Sequence, residues 1–343
     1  MSGSFISRGL ELLEHTGLHE LAHQADEVRR RMHPDGVVTF INDRNINYTN
    51  VCVSRCRFCA FHRAPGRNGG YVLAYEQVGE KIEEAKKLGA VQILLQGGLH
   101  PELPLSWYEG LLRYIKTHHS IHVHAFSAPE IDHLCALAGL SHGQVIGRLR
   151  DAGLDSIPGA GAEMLCARVR KAVSPNKVGV KKWLAIHETA HRMGIRTTAT
   201  MVYGLGETMR EVVIHFRHIR KLQEETGGFT AFIPWSFQPD NTRMPRLKTL
   251  PALYLRILAA GRVLLDNVPS VQASWVTQGP DIAQMALHFG ANDFGSTMLE
   301  ENVVRAAGCR FKVMDEQVIS RLIRQSGFKP ALRRQDYSVI RYL

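Results

Sequence analysis

The stretch EQVGEKIEEAKKLGAVQILLQGG, residues 76–98, carries a helix and a strand in one run. Val78, Ile82 and Ala85 recur at spacings of four and three, the stripe of an amphipathic helix. Gly89 stands where a helix C-cap is wanted. The apolar run VQILLQ then suits a strand buried on both faces, as in a parallel sheet, and it stops at Gly97-Gly98.

The same alternation runs outward in both directions with a beat of about 30 residues, the length of a βα unit. Further extended runs are NINYT (45–49), IHVHAFS (121–127), LDSIPG (154–159), RTTATMVYG (196–204), FTAFIPWSF (229–237), VQASWV (271–276) and ANDFGS (291–296). Helical patterns fall between them, and Gly153, Gly194 and Gly290 take the same C-cap place as Gly89. Eight units predict an α/β protein, a (β/α)8 TIM-type barrel, with a partial barrel as the alternative because the last strands are short. The predicted organisation is a helical extension over 1–40, the barrel over 41–308, and a C-terminal cap over 309–343 of one short strand and one helix. Chemistry then belongs at the C-terminal strand ends, where Gln96 to Gly98, Ser127, Gly159 to Glu163, Gly204 to Glu207, Gln238, Gln278 and Asp293 gather.

Bulk properties narrow the class. Of 343 residues 45% are hydrophobic, and no run of eighteen apolar residues offers a membrane span. The start, MSGSFISRGLELLEHTG, lacks a cationic n-region and a continuous apolar h-region, so a cytoplasmic location is expected. Thiols stay reduced there, so the six cysteines are no disulfide framework. Cys135, Cys166 and Cys309 are scattered and read as ordinary buried residues. The net charge of +10 invites nucleic acid, but the Lys and Arg share helical segments with Glu, and no aromatic-basic stripe accompanies them. A basic surface or an anionic small substrate is the expectation instead.

The remaining cysteines, Cys52, Cys56 and Cys59 in NYTNVCVSRCRFCAFHR, form CxxxCxxC after the first strand. A structural zinc site wants four ligands, and only His62 is near enough to complete one. CxxxC is not the redox dithiol spacing. Three thiolates lacking a fourth fit a 4Fe–4S cluster with one iron left open to an outside ligand.

With Phe58 just before the last Cys, this loop resembles that of the radical S-adenosylmethionine superfamily. The resemblance implies one 4Fe–4S cluster held by Cys52, Cys56 and Cys59, whose open iron takes S-adenosyl-L-methionine. It implies further cofactor contacts at Phe58, at Gly97-Gly98, at Glu163 in SIPGAGAEML, and at Gly204 and Glu207 in MVYGLGET. The Gly pair also reads, with less weight, as a plain turn, and both Glu equally suit first-turn carboxylates. ILLQGGLHPELPLSWYE, AGLDSIPGAGAEML, GGFTAFIPWSFQPDNT and GANDFGSTMLEENVV are similar to the menaquinone and deazaflavin branch. Arg55, Ala160 and Leu205-Gly206 depart from its pattern. The implied reaction is cyclisation of dehypoxanthine futalosine, by hydrogen abstraction from its ribose-derived ring and attack on its benzoate. Alternatives are aminofutalosine synthesis and the deazaflavin-cofactor synthase subunit. An external one-electron donor such as flavodoxin or ferredoxin is implied, and no nucleic acid. Candidate catalytic residues are Asp293 and His100; candidate substrate contacts are His124, Ser127 and Gln238, with Phe126, Trp235 and Phe237 as walls. ANDFG also reads as a turn, and the aromatics as packing. His122 and His124 alternate with Val123 and should share a face.

Overall fold

The structure is a computed structural model and describes residues 2–309 and 313–343. Two helices come first, α1 (Ser2–Leu10) and α2 (Leu18–Met32), joined by a π-helical turn at Glu11–His15. α2 buries Leu21 and Ala25 against α10 (Pro251–Leu264), and α1 packs on α9 (Met209–Thr226).

The first barrel strand is long and broken once. β1 (Val37–Ile41) and β2 (Asp43–Asn47) are separated by Asn42, and the break changes the neighbours. Below it, β1 lies between β8 (Asp293–Ser296) and β9 (Lys329–Arg333), parallel to both. Above it, β2 pairs in parallel with β3 (Gln92–Gln96). Asn42 secures the break: its Nδ2 donates to Leu88 O and Glu316 Oε1, each at 2.8 Å. The 40/41 boundary therefore falls inside β1, because VVTFI carries the first strand's lower half.

From β3 the chain runs to β4 (His122–Ala125) through α4 (Leu105–His118), as α3 (Tyr75–Lys87) had joined β2 to β3. α5 (Ala128–Ala138) and α6 (His142–Ala152) follow, and the fourth strand is LDSIPG, which forms only single bridges at Ser156 and Ile157. Pro158 has no N–H to extend that ladder. Still, Ala125 N donates to Ser156 O at 2.9 Å and Thr198 N to Ile157 O at 3.2 Å, which links β4 to β5 (Thr197–Tyr203). α7 (Ala167–Val173) and α8 (Val180–Arg192) lie between. β5 pairs with β6 (Phe229–Ser236), and β6 with β7 (Ser270–Val271). VQASWV is strand only at its start, since α11 (Trp275–Gln278) begins within it and α12 (Pro280–Leu287) follows.

The ring then closes. Ala273 N donates to Asp293 O at 2.8 Å, and Thr39 N to Asn292 O at 3.1 Å. Hydrogen bonds thus run round the full circle of eight parallel strands, a complete (β/α)8 barrel. All four expected C-cap glycines have positive φ, from 80° to 123°.

After α13 (Val303–Ala306), three residues of the predicted cap, 310–312, lie outside the described residues. The cap holds one helix, α14 (Glu316–Gln325), but two strands rather than one. β9 continues into β10 (Val339–Tyr342), antiparallel to it. This hairpin is not peripheral: Arg333, Gln335 and Tyr337 reach into the barrel from the N-terminal ends of its strands.

Candidate active site

The barrel encloses a cavity of about 400 Å³, from Arg333, Gln335 and Tyr337 at its floor to Cys52, Cys56 and Cys59 at its mouth. The cysteine loop joins β2 to α3 and is pinned at several points. Cys52 N donates to Arg63 O at 2.9 Å, and Val53 N to Leu99 O at 3.0 Å. Cys59 N donates to Cys56 O at 3.3 Å, a tight turn that puts those two residues side by side. From across the mouth, Arg243 donates a guanidinium N–H to Arg55 O at 2.8 Å. Arg55 sits at φ +51°, in the left-handed region.

Cys56 is the buried thiol of the three, with Ser54 Oγ 3.1 Å from its Sγ. Burial pushes its pKa up, against the pull of Lys177 and of the Ser54 hydrogen bond. His62 does not turn to the thiols: its Nδ1 lies 2.9 Å from Cys59 O, and its Nε2 faces Arg243 at 3.5 Å. Among the described residues no three His, Cys, Asp or Glu converge on one point. A cluster does not need that convergence, since each thiolate binds a different iron.

The glycine pair is explained by this loop. A Cβ on Gly98 would lie 2.1 Å from Val51 O, and one on Gly97 2.4 Å from the Tyr48 ring. The missing side chains let the strand end and the cysteine loop lie against each other. Glu130, buried at the start of α5, ties the same corner together. Its carboxylate accepts from Tyr48 OH at 2.6 Å, Gly97 N at 3.0 Å, Ser127 N at 2.7 Å and Ser127 Oγ at 2.5 Å. Burial raises its pKa, while the Ser127 and Tyr48 bonds act to lower it.

Across the cavity, Glu163 sits at φ +45° and accepts from Lys177 Nζ at 2.6 Å. Lys177 lies 5.5 Å over the Phe58 ring. Burial alone would lower the Lys177 pKa, but the Glu163 and Cys56 charges hold it above the usual lysine value. Strained backbone gathers here, for Met298 and Tyr337 also line the cavity with positive φ.

Of the residues singled out from the sequence, the structure brings Cys52, Cys56, Cys59, Phe58, Gly97, Gly98, Glu163, His124, Ser127 and Gln238 to this cavity, with Trp235 and Phe237. His122 and His124 do share a face, both reaching Ser156 Oγ, at 2.8 and 2.7 Å. His124 Nε2 also lies 3.2 Å from Gln335 Nε2. Burial, with His122 and Arg333 near it, holds its pKa well below the usual value. Ser127 caps α5 through Glu130.

Five of the residues singled out lie elsewhere, Gly204 among them, outside the cavity lining with the Glu207 turn. Asp293 begins β8 instead of ending it, so it sits at the floor: 0% exposed, it accepts from Arg333 Nε at 2.5 Å and Thr39 Oγ1 at 2.6 Å. His100 accepts from Glu102 N at 3.1 Å within its own loop, outside the cavity lining. Glu207 accepts from Gly204 N at 2.6 Å and Leu205 N at 2.8 Å, closing the β5 turn on itself. Phe126 packs edge-on to Tyr48 and Tyr108 behind the wall. Sequence reasoning missed Glu130, Lys177, Asn45, Gln92, Glu301 and Arg333. The period-two pattern Asp43, Asn45, Asn47 marks one inward polar face. Nothing local marks Lys177 or Arg333.

A parallel (β/α)8 barrel with three thiols on its first loop, at the mouth of an interior cavity, defines a barrel enzyme built round a sulfur-donor site. Comparison with known proteins carries this further. Residues 46–219 match the Radical SAM superfamily, and residues 226–342 match the CofH/MqnC C-terminal region. The chain is 43% identical over 334 residues to a cyclic dehypoxanthine futalosine synthase of Halalkalibacterium halodurans, covering 97% of this chain and 90% of the relative. It is 41% identical over 312 residues to a 5-amino-6-(D-ribitylamino)uracil–L-tyrosine 4-hydroxyphenyl transferase of Methanopyrus kandleri, covering 89% and 85%. In fold it is similar to the hydrogenase maturase HydG of Carboxydothermus hydrogenoformans, with TM-score 0.73 at 17% identity over 97% of this chain and 77% of that one. Methylornithine synthase (PylB) is similar too, at TM-score 0.74 and 15% identity over 95% and 94%. The chain belongs to the radical SAM superfamily, in the group that carries the CofH/MqnC C-terminal region. Its cofactors are one 4Fe–4S cluster and S-adenosyl-L-methionine. Among the described residues no helix is long and apolar enough to cross a membrane.

Proposed function

We propose that this enzyme cyclises dehypoxanthine futalosine to cyclic dehypoxanthine futalosine, a step of menaquinone biosynthesis, in the cytoplasm. The observation that carries the reading is the likeness over 97% of the chain to a relative named for that activity, joined to three thiols at the mouth of the barrel cavity. Cys52, Cys56 and Cys59 hold the cluster; their donor set leaves a place for an outside ligand. Bound there, the cluster and S-adenosylmethionine supply the 5′-deoxyadenosyl radical that removes a hydrogen atom from the substrate.

The chain's own residues do the rest. Gly97 and Gly98 keep the cysteine loop tight against β3, and Phe58 and the Glu163–Lys177 pair form the side of the cofactor pocket. Trp235 and Phe237 present apolar surface that keeps water and stray hydrogen donors from the substrate. The substrate radical would add to its own benzoate ring, and aromaticity would be restored as a proton leaves to solvent and one electron returns to the oxidised cluster. A cluster held by the three cysteines would take its electron from an external donor of flavodoxin or ferredoxin type; no nucleic acid is required.

The second reading is the tyrosine–ribitylaminouracil transfer, favoured by the 41% identity to the archaeal enzyme. One experiment separates them. Anaerobically loaded protein, reduced and given S-adenosylmethionine, is offered dehypoxanthine futalosine, or ribitylaminouracil with tyrosine, and products are read by mass spectrometry. The cyclic product is expected from the first mixture; turnover of the second alone overturns the proposal. Cys56→Ala is expected to abolish both the brown chromophore and turnover. A colourless wild type with zinc and no iron would rule out the cluster.

A further inference from the structure

Around the cysteine loop the charge is one-sided. From Tyr48 to Ala74 the chain holds Arg55, Arg57, Arg63 and Arg67 and no Asp or Glu. The loop between β6 and α10 adds Arg243 and Arg246. All six are exposed, and none is in an ion pair among the described residues. The two loops make one surface, for Arg243 N donates to Arg57 O at 3.0 Å, beside the guanidinium bond to Arg55 O. Arg246 reaches along the β5 turn, where a Cβ on Gly206 would lie 2.4 Å from its guanidinium. Carboxylates near this rim are already engaged. Glu211 pairs with Arg168 at 2.5 Å, Glu207 accepts from Gly204 N and Leu205 N, and Asp240 lies 4.0 Å from Lys248. Two leucines stand open beside Arg246: Leu247 is 94% exposed and Leu250 73%. Scattered leucines are ordinary on a surface, but these flank unpaired cations at the edge of the thiol loop.

Six unpaired guanidinium groups on one rim set up a positive field that speeds encounter with an acidic partner. Nucleic acid would want aromatic side chains among the cations for stacking, and no aromatic side chain of either loop is exposed. Electron-transfer partners, by contrast, meet over small and weakly held interfaces. Cys52 and Cys59 are part-exposed while Cys56 is buried, so a cluster on them is approached from this rim. We propose that the rim is the docking face for an acidic one-electron carrier protein. Arg55, Arg57 and Arg243 meet its carboxylates, and Leu247 and Leu250 give it an apolar foothold. One electron passes from the carrier's reduced flavin to the oxidised cluster, so the carrier is oxidised by one electron and the cluster reduced by one. No atom passes between the two proteins. The need for a carrier rests on the reading above; the face rests on the arginines.

The test is stopped-flow mixing of anaerobically loaded protein and S-adenosylmethionine, without substrate, with a fully reduced flavodoxin, followed as the carrier's semiquinone appears. The wild-type second-order rate constant is expected to fall about tenfold or more from low to high salt, as for a steered encounter. Arg57→Gln with Arg246→Gln is expected to lower the low-salt rate constant about tenfold and to flatten its salt dependence. Iron content and the rate of reduction by dithionite, which needs no docking face, are expected to stay within about twofold of wild type. If the Arg57 variant loses iron, Arg67→Gln with Arg246→Gln decides in its place. Unchanged rate constants and salt dependence overturn the docking face, and so do equal losses with flavodoxin and dithionite. Weaker binding of dehypoxanthine futalosine with carrier reduction unchanged would give the rim to the anionic substrate and overturn it too. A single-stranded oligonucleotide held in preference to flavodoxin at physiological salt has the same force. Colour is read before mixing: colourless protein fails the reading above together with this face. Brown protein whose reduction ignores the arginines fails the face alone.

Discussion

One methyl group at position 98 would be enough to disturb the mouth of the barrel. The Cβ would sit 2.1 Å from a backbone carbonyl and 3.0 Å from Cys52 Cβ, with no flexible side chain able to give way. Gly98→Ala is therefore expected to cost about 2 kcal/mol in stability, in the range of overpacked cores. It is also expected to lower iron content per chain, measured after anaerobic loading. Glu130 has the opposite weakness, that of a hub. Glu130→Ala leaves Tyr48 OH, Gly97 N and Ser127 N without their acceptor. A loss of about 3 kcal/mol or more is expected in urea unfolding. An unchanged midpoint would mean that water replaces the carboxylate.

The C-terminal hairpin shows how an element outside the eight units becomes part of the site. β9 borrows the edge of β1 that the break at Asn42 leaves free, and its Arg333 then enters the floor to meet Asp293. Both partners are at 2% or less side-chain exposure, so the pair is desolvated on both sides. Removing one charge strands the other: Arg333→Met is expected to cost about 3–5 kcal/mol. Replacing both, Arg333→Met with Asp293→Leu, is expected to recover much of that, because an apolar pair of similar volume removes the stranded charge. Equal stability of the single and double variants in chemical denaturation would show that the floor is not held by this pair.

At the level of the whole chain, acid is expected to act through buried neutral histidines. Burial lowers the His191 pKa to about 4 and the His215 pKa to about 3. His215 Nδ1 accepts from Leu165 N at 2.9 Å, a bond that requires the unprotonated ring. The unfolded imidazoles titrate near 6.5, so below that pH the unfolded chain takes up protons that the folded one refuses. Their contribution is full above about pH 6.5 and is lost as pH falls toward 4 and then 3. Buried Asp43, Glu130 and Glu301, whose pKa values burial raises, act in the opposite sense, so the comparison is best made by difference. His215→Gln is expected to flatten the loss of urea midpoint between pH 6.5 and 4 relative to wild type. Parallel profiles would remove His215 from the account.

Much of this was legible from residue order alone. Repeating apolar stripes, glycine stops and apolar runs announced the barrel, because those patterns are local and each βα unit repeats them. The cysteine spacing announced the cluster loop for the same reason: Cys52, Cys56 and Cys59 lie within one loop. What stayed hidden depends on contacts between distant segments. Lys177 meets Glu163 through the fold of the long segment before β5, and Arg333 meets Asp293 and Gln335 meets His124 only because the last hairpin turns beneath the ring. The extended run ANDFGS predicts Asp293 at a C-terminal strand end, yet the register with β1 makes it the start of β8. The local code names which residues form strands and which loop bears thiols. Which polar groups are buried together follows from closure of the barrel, since burial and pairing are properties of the packed whole.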